Sequence, residues 1–390
     1  MHSKNSIIFF VIFFSPYILG ILFTISSINF PTEITSYIIL LLFAFLLSLP
    51  KGNFKVFYSL HGIGLIFVIT TAVTLYTLFS PSSYSIEKFM IFAYLVLAKI
   101  LASYFLDLRQ IFINERMFLT QLNQYSIIIL LFLFVLFLLG ATQDFDNAAS
   151  RRFVVGFENP IWFSRVVVNL SFIMIFSAFM KRKLSLMQLI SLGCAVALLI
   201  GSGSRGPVLS LILATFLLTF FNIKQNKYLY IIVGSFVFIP ITVLAAIQLA
   251  QFNIYSLLAR LEYARTSIQL FKDNFFGYGF GSFGLVAAGK DAQVYPHNFF
   301  LEIAVELGVI SLILVAFYIR KGVLTIHQSN IFSFLFFIAL INAQFSGDLN
   351  SNASLFVFLV LGIRYKHVTE KIRLMEGSQR TKEQSSFFYK

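Results

Sequence analysis

Apolar runs long enough, or nearly long enough, to cross a hydrocarbon core follow one another along most of the 390 residues. They fall at about 6–28, 34–49, 56–79, 89–106, 127–141, 161–180, 184–200, 207–222, 228–250, 298–319, 331–345 and 353–363, the fifth, eleventh and twelfth being short. Charged residues make up 12% of the chain, where a soluble domain carries about a quarter, so water is not its main solvent. The expected fold is an all-α, polytopic integral membrane protein with about twelve transmembrane helices. Residues 1–363 read as a single transmembrane domain with one longer outer loop at 251–297, and 364–390 as a basic cytoplasmic tail. Lys4 precedes a run too long for a cleavable signal, so the first run reads as a retained helix kinked at Pro16. The single cysteine, Cys194, excludes a disulfide framework and a Cys-based metal site.

The net charge of +13 would suggest nucleic acid in a soluble protein. Here the cations sit mostly in short loops, where they set orientation. With the N-terminus inside, Lys4, Lys51, Lys55, Arg109, Arg116, Lys181, Arg182, Lys183, Lys224, Lys227, Arg320, Lys321 and the tail cations face the cytoplasm. Lys88, Arg151, Arg152, Arg165, Arg205, Arg260, Arg265, Lys272 and Lys290 then face outward. That bias, about two to one inward, gives an N-in, C-in topology. The outward group is mostly arginine, and it gathers in three places: 142–165, around 205, and 251–297. Within the last, 255–273 mixes Leu257, Leu258, Leu261, Ile268 and Leu270 with Arg260, Glu262 and Arg265, the pattern of an amphipathic helix at the outer interface.

Five polar constellations interrupt the apolar pattern. Gly201-Ser202-Gly203-Ser204-Arg205-Gly206-Pro207 ends one helix and starts the next. Its N–H groups and Arg205 would make an anion site; a tight turn with a snorkelling arginine is the plainer alternative. Gly277-Tyr278-Gly279-Phe280-Gly281-Ser282-Phe283-Gly284 contains G-x-G-x-x-G but lacks the strand that a dinucleotide site needs. It reads as a flexible loop closing over a substrate, or as an irregular linker. Pro296 places His297 at the water–membrane boundary, and Asn298, Glu302 and Glu306 follow at four-residue spacing on one helix face. Carboxylates below the interface are functional candidates, against which stands pairing with an arginine of a neighbouring helix. Arg151-Arg152 precede Glu158-Asn159-Pro160-Ile161-Trp162-Phe163-Ser164-Arg165, with the only Trp as an interfacial anchor. Finally, Ser346-Gly347-Asp348-Leu349-Asn350-Ser351-Asn352 is a polar turn, in which Asp348 is a base, a sugar contact or a turn former. No H-x-x-x-H pair and no Walker loop occurs, so neither a metal nor another cofactor is expected, and a phosphate-bearing substrate would have to be held by arginine.

Taken together, Gly203–Pro207 and Tyr295–Gly308 resemble the O-antigen polymerase/O-antigen ligase superfamily, with Asn159–Arg165 and Phe345–Asp348 fitting the same pattern over about residues 150–360. The resemblance implies a metal-independent, inverting membrane glycosyltransferase of the GT-C type in the cytoplasmic (inner) membrane, with its active site on the outer, periplasmic face. Its donor would be an oligosaccharide on polyprenyl diphosphate, and its companions membrane lipid, a flippase and a chain-length regulator. By position, Arg205 and Arg260 match arginines that grip the diphosphate, and His297 matches the functional histidine. Arg165, Arg265, Arg152, Ser204 and Asn298 are expected around the diphosphate or the sugar. The chemistry agrees: a leaving diphosphate gains charge that guanidinium groups stabilise, and an acceptor hydroxyl needs a base. His297 either removes that proton or orients a sugar, with Glu158, Glu302 and Asp348 as further candidates for base or sugar contact.

A polysaccharide polymerase is the first expectation, transferring the growing glycan onto a lipid-linked repeat unit. A ligase that moves the glycan to lipid A core is the second. A lipid-linked oligosaccharide flippase is the third; it would require charges deep in the membrane, and Lys99 is the main one at depth.

Overall fold

The computed structural model of the protein describes residues 4–13, 63–140, 143–147, 150–154, 159–222, 254–328, 330–345 and 348–388. The expected spans at 34–49 and 228–250, most of the first run, and Glu158, Ser346 and Gly347 lie outside the described residues.

The described chain is helical apart from one hairpin. In chain order its elements are α1 (Lys4–Phe13), α2 (Ile63–Leu78), α3 (Tyr84–Phe92), a π-helical segment (Ala93–Leu97), α4 (Ala98–Ser103), α5 (Leu108–Ile113) and α6 (Glu115–Leu138). Strands β1 (Gln143–Asn147) and β2 (Ser150–Val154) follow, then α7 (Pro160–Lys181), α8 (Leu186–Ser202), α9 (Arg205–Asn222) and α10 (Ile254–Asp273). The chain continues as α11 (Phe283–Ala288), α12 (Phe299–Val323), α13 (Ile331–Phe345) and α14 (Ala353–Phe388). Three of these, α6, α7 and α12, are long and apolar enough to cross a membrane.

Length is where the helices depart most from the apolar runs. The run at 127–141 looked short, yet α6 starts at Glu115, and its added turns bury Phe118, Leu119 and Leu122. At 24 residues it is about 36 Å long, enough to span. The last run, 353–363, continues without a break as α14 into the basic tail. Arg364 is held on the way: its Nη1 donates to the Ser103 carbonyl at 3.0 Å, and its guanidinium lies 4.1 Å over the Tyr104 ring. The run at 89–106 is irregular. A π-helical segment splits it, and the chain turns at 104–107 before Asp107 caps α5 by accepting from the Gln110 N–H.

Helix α7 is the hub. It is apolar around its whole circumference and almost wholly buried, the pattern of an interior helix. Phe172 and Phe176 on it pack against Phe334 of α13. Asn159 caps its start by accepting from the Ile161 N–H, with Pro160 at the first helical position, and Arg182 closes it in the left-handed conformation.

Helix α12 is broken in its third turn by Gly308, at φ 72° and ψ −179°. The freed backbone groups are taken up by the glycine run. Tyr278 N–H donates to the Val305 carbonyl at 2.8 Å, Gly279 N–H to the Glu306 carbonyl at 3.1 Å, and Val309 N–H to the Phe275 carbonyl at 2.9 Å. Gly277, at φ 87°, is wedged so closely that an added Cβ would meet the Gly308 nitrogen at 2.7 Å. The expected flexible lid is therefore a packed plug that repairs a kink, and Phe280 to Gly284 are buried. Non-helical backbone below the surface of a membrane bundle persists where protein supplies the hydrogen bonds, and here it does.

Candidate active site at one end of the bundle

Helix α13 ends at Phe345, and the last carbonyls of a helix have no intrahelical partner. The functional candidates gather there. Arg260, on α10, donates from Nη1 to the Phe345 carbonyl at 2.9 Å. Arg165, one turn into α7, donates from Nη2 to the Asn342 carbonyl at 3.3 Å and from Nη1 to the Ser351 carbonyl at 3.0 Å. Asn298 donates from Nδ2 to Gln344 Oε1 at 3.1 Å. Gly206, beside Arg205, lies so near Phe345 that an added Cβ would meet the Phe345 Cβ at 3.0 Å. Cations at a helix C-terminus also complement its dipole. Five segments distant in sequence thus meet around one helix end.

Local sequence explains each placement. Gly203 ends α8 with φ 63°, and Arg205 opens α9 with Pro207 in its first turn, as the glycines and proline predicted. Ser204, between them, is buried, whereas Arg205 itself is exposed. Helix α10 spans 254–273, close to the amphipathic segment expected, and keeps Leu258, Leu261 and Ile268 exposed. Arg265, five residues beyond Arg260, is exposed on a different face of that helix. Arg152 lies in β2 opposite Phe145, and Arg151 opposite Asp146. That hairpin also holds a D-x-D, Asp144-Phe145-Asp146, a sequence type that can serve metal binding.

His297 sits immediately before α12 in the left-handed conformation, φ 57°, which is uncommon for a residue with a side chain. Asn298 then caps the helix, its Oδ1 accepting from the N–H groups of Phe300 and Leu301. The His297 ring meets the Tyr295 ring edge-on at 4.7 Å and lies 6.3 Å from that of Tyr263, one turn after Arg260 on α10. Burial, with the charge of Arg260 added, pushes its pKa down to about 4. The imidazole is therefore neutral at neutral pH, and Nδ1 is buried with no hydrogen-bond partner among the described residues. Beside it, burial and the carboxylates of Asp348 and Glu302 raise the Tyr295 phenol, so it stays protonated. Asp348 is buried and forms a turn: its Oδ1 accepts from Ser351 N–H at 2.9 Å and Ser351 Oγ at 2.6 Å. Of the three readings of Asp348, turn former is the one these bonds describe.

Glu302 and Glu306 do have a cationic partner, but it is not an arginine. Lys88 of α3 donates from Nζ to Glu302 Oε1 at 2.6 Å and to Glu306 Oε2 at 2.7 Å, with all three side chains 2% exposed or less. Sequence reading had placed Lys88 among the outward loop charges. Its position at the edge of an apolar run, with two acids one turn apart elsewhere, was the signal available. Glu306 Oε2 also accepts from the Gly281 N–H at 2.9 Å.

No curated protein matches the chain. A family model described as O-antigen ligase matches residues 189–316. The matched stretch includes Arg205, Arg260, His297, Asn298 and Glu302; Arg152, Arg165 and Asp348 lie outside it. This match supports the resemblance to the O-antigen polymerase/O-antigen ligase superfamily that the motifs carry.

Proposed function

We propose that the protein is a polysaccharide polymerase acting at the outer face of the cytoplasmic membrane. It transfers a growing glycan from polyprenyl diphosphate to a hydroxyl of a lipid-linked repeat unit. The acceptor oxygen attacks the anomeric carbon, the carbon–oxygen bond to the diphosphate breaks, and the hydroxyl proton passes to a base. Arg205 and Arg260 hold the diphosphate and offset the charge it gains, which fixed guanidinium donors do well in a partly dry site. The observation that carries the reading is the meeting of Arg260, Arg165 and the Arg205 turn around Phe345, with a neutral histidine alongside.

His297 is the base in this scheme, with Nδ1 as acceptor. A histidine held near pKa 4 is a weak base in the empty site. Docking of a diphosphate brings negative charge beside it, opposes the effect of Arg260 and raises its affinity for a proton. The base would thus strengthen when the donor arrives. Arginine rather than a divalent cation neutralises the phosphates, and activity that persists in chelator is the expected outcome.

A ligase that moves the glycan to lipid A core is the second reading, and the family match does not separate it from the polymerase. Deletion of the gene separates the two. Single-repeat glycans on the lipid core mark a polymerase; lipid-linked polymer accumulating beside bare core marks a ligase. In the flippase reading, deletion would leave lipid-linked repeats on the inner leaflet, and purified protein would transfer no sugar.

A further inference from the structure

The segment that carries His297 is a bridge, and both its ends are fastened to one helix. At the near end, Asp291 accepts from Ser82 Oγ at 2.5 Å, Ser83 Oγ at 2.6 Å, Ser83 N–H at 2.9 Å and Tyr84 N–H at 3.3 Å. These bonds, that from Ser82 foremost, hold its carboxyl well below the usual carboxylate range. Asp291 thereby caps the start of α3 from more than two hundred residues away, as a local aspartate would cap its own helix. At the far end, Glu302 and Glu306 of α12 close on Lys88, one turn into the same α3. Tyr295, Pro296 and His297 lie on the span between.

The buried end is built beyond what holding two helices together requires. Lys88 Nζ lies 4.8 Å over the Phe280 ring, and its carbonyl accepts from Asn350 Nδ2 at 2.9 Å. Lys88 therefore ties α3 to α12 and the glycine plug through its ammonium, and to the turn before α14 through its carbonyl. Buried ion pairs seldom stabilise a fold more than well-packed apolar side chains would, and their better-attested use is to specify one arrangement over others. What this cluster specifies is the start of α12, and with it the place of His297 against Arg260.

We propose that Lys88 is a positioning residue for group transfer. By clamping Glu302 and Glu306 it fixes α12 on α3, and so holds His297 at the separation from Arg260 that the transfer step needs. The inference rests on the reading of His297 and Arg260 as working residues. Misplacement of a reacting group by about 1 Å can cost on the order of a hundredfold in rate.

The test is the combined K88M/E302Q/E306Q variant, which removes all three charges while keeping the side chains near their original size. Purified in detergent or nanodiscs, it is compared with the wild type in melting temperature and in turnover of a synthetic lipid-diphosphate repeat. The expected result is a folded protein whose kcat is down about thirtyfold, with KM for the donor within about twofold. Added to H297A, the same changes should cost nothing further, since Lys88 acts through His297. Lys88→Arg keeps the charge and serves if the neutral variant does not fold; its longer, planar head displaces α12, and kcat falls several-fold at unchanged KM. Wild-type kcat in either folded variant, or a rise in KM alone, overturns the proposal. Wild-type turnover in H297A overturns the underlying reading and this inference with it, whereas a dead H297A beside a fully active neutral variant overturns this inference alone.

Discussion

Two clusters of charge sit a few residues apart at the same end of the bundle, and they are built oppositely. Arg205 is exposed and Arg260 and Arg165 are half-buried, the latter two docked on backbone carbonyls around the end of α13. Lys88 of α3 and Glu302 and Glu306, in the first two turns of α12, are closed on one another and shut away from solvent. A guanidinium has five N–H donors, so capping a carbonyl is compatible with binding an anion. A sealed ammonium between two carboxylates has its charge already answered. The difference teaches that charge in this protein is divided by burial: the rim arginines stay open to an anion, and the interior charges are closed on one another.

The comparison breaks most visibly through the rim. Arg205→Ala, Arg260→Ala and His297→Ala should each lower glycan transfer by roughly a hundredfold or more, with membrane insertion and melting temperature close to wild type. Polysaccharide laddering in a complemented deletion strain reads the outcome, and full activity in one variant removes that residue from the site. The interior responds in the other currency. Lys88→Met alone strands two buried carboxylates and should destabilise the fold by about 3–5 kcal/mol, seen as loss of folded protein in detergent in addition to the lower kcat of the molecules that remain folded. Gly277→Ala, whose Cβ would collide with the α12 kink, should cost about 1–3 kcal/mol by the same melting assay.

Smaller effects sharpen the contrast. Arg205→Lys keeps the charge but loses the planar fork, and a loss of about tenfold in kcat/KM is expected, roughly 1.4 kcal/mol. The pH profile is subtler still. The working imidazole must be unprotonated, and its pKa lies near 4, below the free value of 6.5. Activity as kcat/KM, which reports the free enzyme, should therefore persist as pH falls through 6.5 and fail only toward 4. In kcat, which reports the loaded enzyme, the acidic limb should move upward because the bound diphosphate stabilises the imidazolium. Arg260→Ala, which relieves repulsion of that cation, should raise the limb in kcat/KM. Coincident limbs near 6.5 for both parameters in the wild type would remove His297 as the base.

Much of this was legible in the chain. Hydropathy located the helices because in lipid a helix satisfies its own backbone, and length in apolar residues is then the dominant signal. The Gly203 cap and the Pro207 start follow from local backbone chemistry, and the sequence motifs placed both; Asn298, read as part of a helix face, instead caps α12. Local patterns were silent on partners far away in sequence. Lys88 looked like a loop charge because nothing near it says that Glu302 and Glu306 lie opposite. The glycine run looked mobile because its rigidity comes from the carbonyls of Val305 and Glu306, freed by a kink that one glycine introduces. The turn role of Asp348, by contrast, needs only neighbours three and four residues on, and local reasoning reached it.

The most direct measurement is binding of a non-reactive polyprenyl diphosphate to the purified protein in excess EDTA, for the wild type and for R205A/R260A. The rim arginines should support binding without any divalent ion, and their joint removal should weaken it by roughly a hundredfold or more. Binding that vanishes in EDTA, or that survives loss of both arginines, would contradict the claim that guanidinium groups at this end of the bundle hold the lipid diphosphate.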